Sequence, residues 1–140
     1  MTVQAAVRQF ARELKAEWHE GDKPALELTL GQRRTDVDLR VLVYRIGLEY
    51  NDVQKIVFFE ESLWEQTKGP RGGVDLTFAL RPKEETFRII PSSERGTIEE
   101  QAQTFANRYE ALAFDFAGLR RKLATIAAEH GYKLKHLIPL

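Results

Sequence analysis

Apolar positions are spaced alternately four and three apart from Ile98 to Ile126, through Ala102, Phe105, Tyr109, Leu112, Phe116, Leu119 and Leu123. That spacing is the seam of a helix packed along its whole length. Thr97 and Glu100 form a capping box in front of it and Gly131 a stop behind it, so one long helix over 97–130 is predicted. At 1.5 Å per residue it would be roughly 50 Å long, whereas a chain of this size folds to a radius of gyration of about 14 Å. A straight helix would overhang its own domain, which points to a homodimer. Ala106, Ala113 and Ala127 widen the stripe to the face of a helix lying on its own sheet. The first half is therefore expected against that sheet and the half from Gly118 against a partner, with Phe114, Leu119, Leu123 and Ile126 as candidate oligomer-interface residues.

The rest of the chain reads as one shorter helix and a block of strands. Val3, Val7, Phe10, Leu14 and Trp18 fall on one side of a helix over 2–20, closed by Gly21, Asp22 and Pro24. Leu26, Leu28 and Leu30 then alternate with Glu27 and Thr29, the period of a half-buried strand, and GQRRTD is predicted to turn it. Long β-rich runs follow at Val37–Tyr50 and Val53–Gln66, then a KGPRGG turn at 68–73 and shorter runs at Val74–Arg81 and Thr86–Ile90. The two long runs are apolar on both faces: Val37, Leu39, Val41 and Val43 oppose Leu42, Tyr44, Ile46 and Leu48, and Val53, Val57, Phe59 and Leu63 oppose Ile56, Phe58 and Trp64. Both faces of the middle of the sheet are expected to be covered. The fold class is α+β, a single domain over 1–140. It comprises a short N-terminal helix, an antiparallel sheet of four or five strands over 25–91, one long C-terminal helix packed across the sheet, and a tail over 131–140 that is either a strand or an exchanged arm.

Composition narrows the chemistry. With 140 residues the chain can bury about two thirds of its unfolded surface without a staple. No cysteine is present, which removes disulfides, thiolate nucleophiles and sulfur-ligated metals. The N-terminus lacks the apolar core of a signal peptide, and no stretch has the ~18 apolar residues of a membrane span, so a cytoplasmic protein without a membrane partner is expected. Twenty-one basic and twenty-one acidic residues cancel, leaving no net charge to draw the molecule to a polyanion.

Two groups could still hold one locally. Arg40, Tyr44, Phe58, Trp64 and Arg88 could share a sheet face on which bases stack and phosphates pair, and Arg120, Arg121 and Lys122 make the end of the long helix basic. KGPRGG lacks the Lys-Ser/Thr of a phosphate cradle. His19, His130 and His136 lack the spacing of a helical metal pair, and Glu60 and Glu61 point to opposite sides of a strand. No catalytic residue, cofactor or metal site is expected. The leading reading is a non-catalytic interaction or binding module acting as a homodimer, open to a protein partner. The alternatives are single-stranded nucleic-acid binding on the Arg and aromatic face, not favoured by the charge balance, and a carrier or enzyme for a small apolar ligand between sheet and long helix.

Overall fold

The structure, a computed structural model, describes residues 1–68, 84–91, 98–103, 109 and 114–137, with the backbone alone for 68 and 84–91. In chain order the elements are α1 (Val3–Glu13), β1 (Glu17–His19), β2 (Ala25–Arg34), β3 (Leu39–Asn51), β4 (Ile56–Lys68), β5 (Glu84–Pro91), α2 (Ile98–Gln103), α3 (Phe116–Glu129) and β6 (Lys133–His136). Strands β1 to β5 neighbour one another in sequence order, and β6 pairs in parallel with the first half of β4. The class is α+β, with a mixed, mostly antiparallel sheet. The predicted turn at 68–73, the strand over 74–81, the capping residue Thr97 and the seam residues Phe105 and Leu112 lie outside the described residues.

Several boundaries differ from the sequence reading for local reasons. The first helix stops at Glu13 because Lys15 takes φ 61°. The Lys15 N–H donates to the Arg12 carbonyl and the Ala16 N–H to the Ala11 carbonyl, a Schellman ending with lysine where glycine is usual. Trp18, counted on the helix stripe, therefore lies in β1 opposite Leu26. GQRR continues β2 instead of turning it, and the turn falls at Thr35–Asp38, where the Thr35 hydroxyl accepts from the Val37 and Asp38 amides. The next hairpin turns at Asn51–Lys55, held by the Gln54 amide on the Asn51 side chain. Val37 and Val53 thus sit in turns and are 68% and 93% exposed.

The long helix over 97–130 is not continuous. Phe114 and Asp115 are non-helical, and Asp115 caps a new helix by accepting from the Gly118 amide at 2.9 Å. A Cβ at Gly118 would meet the Asp115 carboxylate, so a larger residue there would make that exposed side chain move off its capping position. Behind α3, Gly131 at φ 79° closes a second Schellman ending, with the Tyr132 amide on the Ala127 carbonyl.

Two compact units make up the chain: Met1–Leu28 with Arg45–Glu61 and Asp115–Leu140, and Thr29–Tyr44 with Ser62–Phe114. Strands β2, β3 and β4 each give one half to either unit. In the first unit Val3, Val7 and Phe10 of α1, Ile46 and Leu48 of β3, Val57 and Phe59 of β4, and Phe116, Leu119 and Leu123 of α3 are buried. In the second, Val41 and Val43 are buried on one side of β3 and Leu42 and Tyr44 on the other, so this stretch is covered on both faces as its composition predicted. Tyr109 is buried there as well, its hydroxyl 2.6 Å from the Glu65 carboxylate and its ring against Gly31, whose missing side chain leaves the room.

Candidate functional site

In the first unit β4 has two unlike faces. Val57, Phe59 and Glu61 are buried, whereas Ile56 and Phe58 are half-buried and Glu60 is exposed. Arg120 of α3 donates through Nε to Glu61 on the buried face. Among the described residues no helix covers the other face. Register fixes what stands on it: Lys133 pairs with Ile56 and Lys135 with Phe58, and Glu17 pairs with Glu27, which binds Arg45 at 2.6 Å. Alternation along β3 adds Gly47 and Glu49. Lys23 approaches Glu49 at 3.8 Å.

Among the described residues the open face is therefore a small apolar group, Ile56, Phe58 and the exposed Leu137, with Glu17, Glu27, Glu49 and Glu60 and Lys23, Arg45, Lys133 and Lys135 around it. The charges balance. A shallow cavity of about 70 Å³ lies beside it, lined by Lys23, Gly47, Glu49, Phe58, Glu60 and Leu137 together with Leu48 and Phe59. That is far below the ~300–1,000 Å³ of a typical small-ligand pocket.

Two titratable clusters flank this region, and sequence reasoning missed both. On the covered face Glu61, 3% exposed, receives Arg120 Nε at 3.0 Å and lies 3.8 Å from His136 Nε2, while the His136 ring stacks on Phe59 with centroids 4.7 Å apart. The signal was available in the strand period, since Glu61 and Glu65 fall in phase with Val57, Phe59 and Leu63. At the open face His19 Nε2 lies 3.1 Å from Glu27 and 3.5 Å from Glu17. This group became visible only once 17–19 was a strand, because two residues apart on a helix do not share a face. Nearby, the Tyr50 hydroxyl is buried without a partner among the described residues. Burial pushes its pKa far above the ordinary tyrosine value; Arg8 opposes the rise and Glu20 adds to it.

The residues singled out in the sequence are dispersed. Tyr44 is fully buried, its ring 5.8 Å from that of Phe114. Arg40 lies 3.6 Å from Asp38, and Trp64 is half-buried with its indole N–H on the Ser62 hydroxyl. Arg88 stands in β5 opposite Glu65, its side chain outside the described residues. Phe58 alone of this set lies on the open face. Arg120 is committed to Glu61; Arg121 and Lys122 are exposed, with Arg121 3.9 Å from Asp115. Of the interface candidates, Leu119 and Leu123 are buried in the chain's own first unit, and Phe114 and Ile126 are half-buried. No family model, curated protein or solved structure matches the chain, so its own geometry carries the functional reading.

Proposed function

We propose that the chain is a non-catalytic interaction module that self-associates through the open sheet face of its first unit. What supports this reading is the composition of that face: three apolar side chains, Ile56, Phe58 and Leu137, with four carboxylates and four cations around them. A two-fold contact buries the same patch of both copies, so it requires a surface complementary to itself. Equal numbers of both signs let the charges of two copies cancel across such a contact. A polyanion is a poor occupant, because four carboxylates would oppose the cations that phosphates need.

The absence of cysteine makes a direct footprint available. A thiol introduced by Phe58→Cys is expected to react with a maleimide progressively more slowly as protein concentration rises, while one introduced by Val53→Cys, at the exposed hairpin tip, reacts at one rate throughout. Equal, concentration-independent rates at both positions would contradict the reading.

A further inference from the structure

We propose that Glu17, His19 and Glu27 form a binding site for one divalent transition-metal ion on the β1–β2 ladder. Glu17 and His19 are two apart on a strand and so share a face, and Glu27 stands directly opposite Glu17 in the antiparallel register. The three ligand atoms all lie within 4.8 Å of one another. In a tetrahedral site with bonds of about 2.0–2.1 Å, neighbouring ligand atoms are roughly 3.3 Å apart. The two His19 Nε2 distances, 3.1 Å to Glu27 Oε1 and 3.5 Å to Glu17 Oε1, bracket that edge, and the exposed Glu17 carboxylate can rotate to close the third separation, which lies within 4.8 Å.

The orientation of the imidazole separates this arrangement from a simple ion pair. Nε2 is closed off from solvent and makes no directed hydrogen bond, although two carboxylate oxygens are near. Glu27 is itself held from behind: Arg45 Nη1 binds its second oxygen, Oε2, at 2.6 Å, which leaves Oε1 free for the ion and fixes the carboxylate. Imidazole with two carboxylates suits zinc or manganese, whereas calcium and magnesium prefer oxygen alone. Nε2 itself is covered, but Glu17, 70% exposed, is free to swing aside and admit an ion. All three ligands come from one chain, and two of them, Glu17 and Glu27, also belong to the ring of the open sheet face.

Calorimetric titration of untagged protein with zinc chloride near neutral pH tests the site. One equivalent is expected to bind. His19→Ala and, separately, Glu17→Gln should each weaken binding by at least about tenfold, with circular dichroism confirming that both variants fold; His136→Ala should bind as the parent does. Zinc should also raise the midpoint of thermal unfolding of the parent and not of His19→Ala. No saturable binding, or binding that survives His19→Ala at parental affinity, would overturn the proposal.

Discussion

At the scale of single residues, the informative positions are polar groups placed in phase with apolar ones. Glu65 on β4 and Tyr109 form a buried pair 2.6 Å apart. Removing the hydroxyl with Tyr109→Phe should lower stability by roughly 1.5–3 kcal/mol, the range for a hydrogen bond to a charged group. Equilibrium urea unfolding measures this directly, and an unchanged midpoint would contradict the pairing. Tyr50 makes a prediction in pH. Its folded pKa lies above its unfolded one, so the unfolded chain ionises first, and the contribution is whole below a pH of about 10 and lost as pH rises beyond it. Between about pH 9 and pH 11 the parent should therefore lose more stability than Tyr50→Phe. Equal losses would show that burial does not govern this hydroxyl.

Among the elements, the most informative departure is at Asp115. The four-three spacing runs through Phe116 unbroken, but periodicity reports which face is apolar and carries no record of where the backbone leaves the helix. An Asp three residues before a Gly was the available signal, since the carboxylate caps the Gly118 amide and the glycine leaves it room. Lys15 hid the end of α1 in the same way, because a left-handed lysine has no sequence signature comparable to that of Gly131. Strand content, the two-faced burial of Val41–Tyr44 and the stop at Gly131 were legible, because they depend on local alternation and a single special backbone angle. The parallel pairing of β6 with β4 was not, since it joins residues far apart in the chain. One consequence is quantitative. Leu123, an interface candidate by sequence, is fully buried in its own unit, so Leu123→Ala should cost roughly 2–5 kcal/mol of stability while leaving association between folded chains unchanged. Denaturant titration and sedimentation separate the two effects, and a variant that loses association without losing stability would return Leu123 to an interface.

For the whole molecule, the break at Asp115 leaves no helix long enough to overhang its domain among the described residues. The proposed self-association uses instead the open sheet face with Phe58 at its centre and balanced charge around it. That face can be disabled with little cost to folding, because Phe58 is only half-buried. Phe58→Asp should remain folded and lose association, and salt should weaken association of the parent, since exposed ion pairs around an apolar centre are screened. The most direct measurement is sedimentation equilibrium across a concentration series on the parent chain and Phe58→Asp. The parent should approach twice the 16.1 kDa chain mass while Phe58→Asp stays at the single-chain mass. A parent that remains monomeric over the whole series, or a variant that dimerises as the parent does, would contradict the account.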